Sequence, residues 1–232
     1  MKKIGLVGGI SWTSTLDYYK YINEGINQKL GGLESVECII YSLNFADVQR
    51  KTWTNSFDLI YKACKSLISS GVDAIALCAN TAHLFADEIQ SKINVPIIHI
   101  VTNTAHAIKN QKLSRVALLG TKFTMEMNFY KKKLEENNIE VLIPKEKADI
   151  DTIQYIVKEE LGKGLVVGES RKKMIQVSEQ LIQRGAEGIV LGCTEIPMLI
   201  GKNDFTIPVF DTVKIHVDSI IDFVLDTKNS YL

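Results

Sequence analysis

The sequence predicts an α/β protein of two similar lobes, each a parallel sheet flanked by helices, with the active site in the cleft between them. Two observations predict this fold. Short runs rich in β-branched residues alternate with helical stretches, which is typical of βαβ units in a parallel sheet. Landmarks of the first half also recur in the second half at a nearly constant offset, which indicates an internal duplication.

The first half shows four strand-like runs separated by helical patterns. The first run closes on Gly8-Gly9, and the stretch after it carries apolar side chains at helical spacing between Leu16 and Ile26. Gly71 closes the second helical stretch, as expected at a helix end. The predicted strands are Lys3–Val7, Val36–Leu43, Asp73–Leu77 and Val95–Ile100, and the predicted helices are 13–30, 55–70 and 81–92.

The second half repeats this plan. Val116–Leu119 ends in Gly120 as the first strand ends in Gly8, an offset of 112, and Tyr130 follows Gly120 as Tyr18 follows Gly8. Two further pairs lie 114 and 112 residues apart: Leu67–Gly71 with Leu181–Gly185, and Val95–Ile98 with Ile207–Phe210. We therefore expect an N-terminal lobe over residues 1–103 and a C-terminal lobe over 104–211, with a C-terminal helix at 212–232 packing back on the first lobe.

Composition excludes several classes of protein. The chain has 232 residues, with 27 Lys and Arg against 27 Asp and Glu, so it lacks the basic excess of nucleic-acid-binding proteins. No apolar run approaches the ~20 residues of a membrane span. The apolar stretch at the N-terminus is short and broken by glycine, unlike a signal peptide. We therefore expect a cytoplasmic protein that binds neither nucleic acid nor membrane.

The four cysteines, at positions 38, 64, 78 and 193, form no CxxC pair and predict no metal site. Cys38 and Cys64 fall in apolar stretches and are expected to be core residues. Cys78 and Cys193 instead follow the third strand of each half directly, at the start of the next helix. Free backbone N–H groups collect there, and they favour both a thiolate and a bound carboxylate.

Two thiols at equivalent points of a duplicated fold suit one kind of chemistry. Inverting a carbon next to a carboxylate requires a base on one face and a proton donor on the other, and a thiolate and a thiol supply both. Backbone N–H groups and threonine hydroxyls would stabilise the charge that develops on the carboxylate. The sequence shows no signal for pyridoxal phosphate, flavin or metal, so we expect no cofactor. A disulfide is the competing account, which a reducing compartment disfavours.

At these residues the chain resembles the aspartate/glutamate racemase family of cofactor-independent, two-cysteine amino-acid racemases, and within it the L-aspartate/glutamate-specific branch. The resemblance covers nearly the whole chain, in order. The motifs that carry it are KKIGLVGGISWTST at 2–15, INEGINQKLGG at 22–32, ALCANTAH at 76–83, VALLGTKFTME at 116–126, LGCTEIP at 191–197 and IPVFDT at 207–212.

The resemblance implies that Cys78 and Cys193 are the catalytic acid and base. It also implies a small amino-acid substrate and a homodimer. Gln49 would face the side-chain end of the substrate, and Ile10 would contribute backbone contacts. The remaining substrate-binding residues implied by the motifs are Ala79, Asn80, Thr81, Thr194 and Glu195.

A side-chain carboxylate of the substrate would require a positively charged partner, and Arg50 and Lys163 are the candidates. Family members that handle aspartate often carry Ile-Lys-x-Gly near Lys163, whereas here the lysine comes one place late, in Leu161–Gly164. The sequence therefore predicts a pocket that tolerates neutral polar amino acids. His83 is interpreted as a supporting histidine rather than a catalytic one.

Two alternatives stay open at this point. One is another enzyme of the same superfamily: a hydantoin racemase, a maleate isomerase or an arylmalonate decarboxylase, of which the last needs only one of the two thiols. The other is a non-catalytic, two-lobed protein that binds dicarboxylates. The cysteine pair distinguishes them, because binding alone does not require it.

Overall fold

The computed structural model describes residues 1–226, which form two compact units. Unit 1 comprises Met1–Ile100 and the described residues from His216 to Asp226, and unit 2 comprises Val101–Ile215. The strands are β1 (Ile4–Gly8), β2 (Cys38–Ser42), β3 (Ala74–Leu77), β4 (Ile97–Ile98), β5 (Arg115–Gly120), β6 (Glu140–Leu142), β7 (Gly188–Gly192) and β8 (Val209–Asp211).

The α-helices are interspersed with the strands along the chain. They are α1 (Trp12–Leu30), α2 (Phe45–Lys51), α3 (Phe57–Ser69), α4 (Ala86–Gln90), α5 (Ile100–Asn110), α6 (Lys122–Glu126), α7 (Asn128–Glu135), α8 (Lys147–Tyr155), α9 (Gly168–Gln183) and α10 (Thr212–Val224). Short 3₁₀ helices lie at Trp53–Asn55, Thr81–Phe85, Leu161–Lys163, Ile196–Met198 and Lys202–Asp204, and a π-helical turn lies at Ile156–Glu160.

Each unit contains one four-stranded parallel sheet. The strand order is β2-β1-β3-β4 in unit 1 and β6-β5-β7-β8 in unit 2, so corresponding strands occupy corresponding places. Strands β1, β3 and β7 are buried along their whole length, which explains their continuous apolar runs. The predicted fold class, an α/β protein of two similar lobes with parallel sheets flanked by helices, is confirmed.

The register of the strands carries the duplication down to single residues. Ile4 pairs with Ala74 in unit 1, and Val116 pairs with Gly188 in unit 2, which corresponds to offsets of 112 and 114. The next pairs, Ile75 with Ile97 and Ile189 with Val209, again give 114 and 112. These are the offsets found in the sequence.

Several predicted element boundaries differ from those in the structure. The helix predicted at 55–70 begins only at Phe57, after a 3₁₀ turn, and α2 was not predicted. The strand predicted at Val95–Ile100 is reduced to Ile97–Ile98, because Pro96 has no N–H to donate and α5 already begins at Ile100. The helix predicted at 81–92 divides into a 3₁₀ turn and α4.

The last predicted helix, 212–232, runs from Thr212 to Val224 in the structure, and its residues 227–232 lie outside the described part of the chain. Within unit 1, the backbone N–H of Lys2 donates to the Val224 carbonyl at 2.9 Å. Lys29 of α1 forms an ion pair with Asp222 of α10 at 2.8 Å. Among residues 1–226, no helix combines the length and apolar character that crossing a bilayer requires.

Candidate active site

The loop after β1 is held by a hydroxyl from α1. Thr15 Oγ1 accepts the backbone N–H of Gly9 at 2.9 Å and donates to the Ser11 carbonyl at 2.9 Å. Ser11 caps α1 by accepting the Ser14 N–H. Ile10, predicted to supply backbone contacts to a substrate, lies in this loop with its side chain buried.

Gly9 is required at the floor of this loop. Its φ is +81°, and a Cβ built there would stand 2.1 Å from the Leu43 carbonyl oxygen. We expect Gly9→Ala to lower the free energy of unfolding by about 3 kcal/mol or more, since backbone strain and a backbone clash combine. Gly71→Ala is the matched control, because Gly71 has a φ of +76° but open space around it. For Gly71→Ala, urea denaturation should show that the free energy of unfolding falls by only about 1–2 kcal/mol. Equal losses in the two variants would contradict the clash at Gly9.

Cys78 follows β3 directly and is almost fully buried. Its backbone N–H donates to the Val7 carbonyl at 2.9 Å, and its carbonyl accepts the Ser14 hydroxyl at 3.4 Å. Burial raises the pKa of the Cys78 thiol far above its ordinary value. Asn80 and Thr81, the next predicted binding residues, are also buried. The turn therefore presents a neutral thiol when no ligand supplies a positive charge.

His83 fixes the shape of the Cys78 turn. Its ring Nδ1 lies 3.0 Å from the Ala79 carbonyl, and its Nε2 lies 3.2 Å from the N–H of Ile100, which opens α5. Nδ1 therefore carries the proton and Nε2 accepts. The backbone N–H of His83 donates to the Asn80 carbonyl at 3.1 Å, a 3₁₀ spacing. The predicted helix at 81–92 therefore starts as a 3₁₀ turn.

A second buried histidine continues this network within unit 1. His216 accepts the Tyr18 hydroxyl at Nδ1 (2.8 Å) and donates from Nε2 to the Ile98 carbonyl (2.7 Å). Its ring lies 5.6 Å from that of His83. Burial lowers the pKa of His216 to about 3, and burial also holds the pKa of His83 well below its usual range. Both rings are therefore neutral.

These neutral rings predict an acid-sensitive fold. A histidine whose pKa is lowered on folding contributes stability that is present above pH 6.5 and is lost as the pH falls toward its folded pKa. Between pH 7 and about 4.5, the wild type should lose roughly 2–3 kcal/mol more unfolding free energy than His216→Gln. Urea denaturation at both pH values measures this, and parallel pH profiles would contradict it.

Cys193 follows β7 and lies beside a carboxylate. Its thiol donates to Glu195 Oε2 at 2.9 Å, and the Thr194 hydroxyl donates to the same oxygen at 2.7 Å. Burial raises the pKa of the Cys193 thiol, and the Glu195 carboxylate raises it further. The sequence placed Glu195 among the substrate contacts and gave no sign of its contact with the thiol.

Cys78 and Cys193 do not occupy equivalent positions in the two halves of the duplicated fold. Val7 pairs with Leu77 and Leu119 with Leu191, so Leu77 and Leu191 are equivalent. Cys78 follows Leu77 directly, whereas Gly192 still belongs to β7 and precedes Cys193. Cys193 therefore lies one residue, about 3.3 Å of strand, beyond the point that corresponds to Cys78. The sequence predicts equivalent positions for the two cysteines, whereas in the structure these positions differ by one residue.

The predicted contacts to the substrate side chain lie outside both cysteine turns. Gln49 and Arg50 lie on the exposed side of α2, where Arg50 pairs with Asp47. Lys163 ends a 3₁₀ turn in unit 2 and forms an ion pair with Glu159 at 2.7 Å, which raises the pKa of Lys163. Both cations are thus largely exposed and engaged by a carboxylate of their own unit.

All four cysteines are free thiols. Cys64 is buried in the core, as predicted, and Cys38 is partly buried on β2. Within residues 1–226, no group of three or more His, Cys, Asp or Glu side chains is arranged to hold a metal ion. Sequence reasoning missed Tyr18 and His216 as supporting residues. The only signal was the recurrence of Tyr18 as Tyr130, which are both fully buried.

Comparison with known proteins supplies the family. The family model described as Asp/Glu/Hydantoin racemase matches residues 7–220. This chain belongs to that family. Its fold also matches a crystal structure from Yersinia pestis, proposed to be an Asp/Glu racemase, with 39% identity and a TM-score of 0.91 over 97% of this chain and 100% of the other.

Two curated relatives of this racemase-family chain are more distant. The glutamate racemase of Aquifex pyrophilus is 28% identical over 171 residues, which cover 72% of this chain and 64% of the relative. The broad specificity amino-acid racemase RacX of Bacillus subtilis is 30% identical over 153 residues, which cover 63% and 62%. The chain thus spans less than two thirds of the length of either relative.

Proposed function

We propose that this chain is a cofactor-independent amino-acid racemase that inverts the α-carbon of aspartate, glutamate or a polar amino acid of similar length. The observation that carries the proposal is that β3 and β7, which occupy corresponding places in the two sheets, are each followed directly by a buried cysteine with a free thiol. Membership in the racemase family supports it. We propose that the enzyme works in the cytoplasm, where a reducing environment keeps both cysteines as thiols.

The proposed chemistry uses one thiolate and one thiol. The thiolate removes the α-hydrogen as a proton from one face, the electron pair passes into the carboxylate, and the thiol returns a proton to the opposite face. Backbone N–H groups of the Cys78 and Cys193 turns, with the Thr81 and Thr194 hydroxyls, stabilise the charge on the carboxylate. The two cysteines end with their protonation states exchanged, which is the state that the reverse reaction needs.

The charges around each thiol explain when it ionises. Burial keeps both thiols protonated in the ligand-free protein. A bound amino acid brings an α-ammonium group, whose positive charge favours a nearby thiolate. Cys193 has in addition Glu195 Oε2 at 2.9 Å, which can take the thiol proton without a change of geometry. We propose that Glu195 is this proton acceptor.

Incubation of amino acids in D₂O tests the function. Proton NMR should show deuterium entering the α-position of aspartate, glutamate or homoserine, with the opposite enantiomer appearing in parallel. Binding without exchange would identify the chain as a dicarboxylate-binding protein. Exchange that is confined to hydantoins, or isomerisation of maleate, would identify a different enzyme of the superfamily.

Arg50 is the proposed anchor for an acidic side chain. Its exposed pair with Asp47 is worth only about 0–1 kcal/mol and can be exchanged for a desolvated substrate carboxylate. Arg50→Ala should therefore lower kcat/KM for aspartate and glutamate by about 10- to 150-fold and for homoserine much less. Lys163→Ala is the control. Equal losses for acidic and neutral substrates would mean that Arg50 only supports α2, and a selective loss in Lys163→Ala would move the anchor there.

A further inference from the structure

Two buried connections join α1 to the Cys78 turn in unit 1. The shorter connection is the Ser14 hydroxyl, which donates to the Cys78 carbonyl at 3.4 Å. The longer connection begins about one helical turn further along α1, at Tyr18. The Tyr18 hydroxyl donates to His216 Nδ1 at 2.8 Å, and both side chains are fully buried.

The longer connection continues through the backbone at the end of β4. His216 Nε2 donates to the Ile98 carbonyl at 2.7 Å, and the N–H of Ile100 donates to His83 Nε2 at 3.2 Å. His83 Nδ1 then donates to the Ala79 carbonyl in the cysteine turn at 3.0 Å. The two histidine rings also meet edge to face, with their centroids 5.6 Å apart. Both nitrogens of each ring have a partner, and a satisfied buried network of this kind holds one conformation.

Unit 2 has no histidines at the corresponding positions. At the offset of 112 residues, Tyr130 and Thr104 occupy the places of Tyr18 and His216, and all four side chains are fully buried. At the offset of 114 residues, Pro197 takes the place of the turn histidine, and its side chain can neither donate nor accept. Unit 2 nevertheless forms a sheet of the same topology. The histidine network is therefore specific to the Cys78 turn and is not a requirement of the duplicated sheet.

We propose that Tyr18 and His216 are positioning residues for Cys78, which hold its thiol in place for proton transfer at one face of the substrate. This inference rests on the proposed function, in which each cysteine serves one face of the α-carbon. The network reaches the turn through a backbone carbonyl, so it sets the place of the thiol rather than its charge. A displacement of about 1 Å can cost about 100-fold in rate. Loss of the network should therefore impair the step that Cys78 performs and spare the step that Cys193 performs.

Alkylation by iodoacetamide, mapped site by site, tests the proposal without reference to activity. Cys78 is only 1% exposed, so the reagent reaches its thiol when the turn opens. Tyr18→Phe removes the donor to His216 Nδ1, and we expect Cys78 to react about tenfold faster in this variant. Cys64 lies fully buried in the core of the same unit, so it reports on general destabilisation and should react at an unchanged rate. Tyr130→Phe is the matched control in unit 2 and should leave the Cys78 rate within about twofold of the wild type.

Elimination from the two enantiomers of a β-chloro amino acid tests the effect on the chemistry. The Cys193→Ser variant identifies the enantiomer that Cys78 serves, because only the Cys78 thiol remains in it. For that enantiomer, we expect Tyr18→Phe and His216→Leu to slow elimination by about tenfold or more. For the other enantiomer, the rate should stay within about twofold of the wild type. A side chain that only stabilised the fold would slow both reactions alike.

Three results would each overturn the proposal. They are an unchanged rate of Cys78 alkylation in Tyr18→Phe, an equal rise in the alkylation of Cys64, and an equal loss of elimination for both enantiomers. A wild type that eliminates neither enantiomer would instead contradict the proposed function. The alkylation of Cys78 would then still show whether the network holds the turn.

Discussion

Cys78→Ser and Cys193→Ser should each remove nearly all racemisation while leaving the fold intact. Serine is almost isosteric with cysteine, but its hydroxyl pKa lies far above that of a thiol, so it cannot exchange the substrate's proton. We expect kcat to fall by about 10³-fold or more in each variant, measured by circular dichroism of the amino acid or by deuterium exchange. A variant that keeps more than about a tenth of the wild-type kcat would disprove the two-base mechanism.

The single variants also offer a positive control. Elimination of a β-leaving group needs only one base, so each variant should still act on the enantiomer that presents its α-hydrogen to the remaining thiol. We expect Cys78→Ser and Cys193→Ser to retain elimination with opposite enantiomers of a β-chloro amino acid. Loss of elimination with both enantiomers in a folded variant would mean that the substitution disturbs substrate binding.

Glu195→Gln should change two properties of Cys193 in opposite directions. The carboxylate raises the pKa of the thiol through its negative charge, so removing that charge lowers the pKa and increases the thiolate fraction at a given pH. Alkylation of Cys193 by iodoacetamide at pH 8 should therefore become about threefold faster or more. Racemisation should nevertheless fall by about 10²-fold, because glutamine cannot take the thiol proton.

Peptide mapping by mass spectrometry separates these effects site by site. Cys78 lies on β3 in unit 1 and should be alkylated at an unchanged rate in Glu195→Gln, which makes it the internal control. If Cys193 alkylation stayed the same while racemisation fell, Glu195 would only support the turn. Unchanged racemisation would exclude Glu195 as the proton acceptor.

The strand plan could be predicted because its signal is local. Runs such as Ile4–Gly8 and Gly188–Gly192 are buried on both faces of the sheet, so their side chains are apolar throughout. The same apolar pattern occurs in each half of the chain. The offsets of 112 and 114 in the sequence reappear as strand register. Helix α2 has no such signal, because only Val48 of its seven residues is buried.

The details around the thiols depend on groups that come from elsewhere in the chain. Tyr18 and His216 are 198 residues apart, and nothing near either residue in the sequence indicates their hydrogen bond. Cys193 and Glu195 are only two residues apart in the sequence, yet their contact requires the turn after β7 to bring the carboxylate back over the thiol. Sequence spacing does not specify such a rotamer.

The sequence by itself determined that this is a duplicated α/β protein with a cysteine at the end of each central strand, since periodicity and repeats are properties of neighbouring residues. Only the tertiary structure decided that Cys193 lies one residue beyond the position equivalent to Cys78, that His83 and His216 are neutral, and that the Cys78 thiol is buried. Register, pKa and exposure are set by the packing of distant segments against a given side chain.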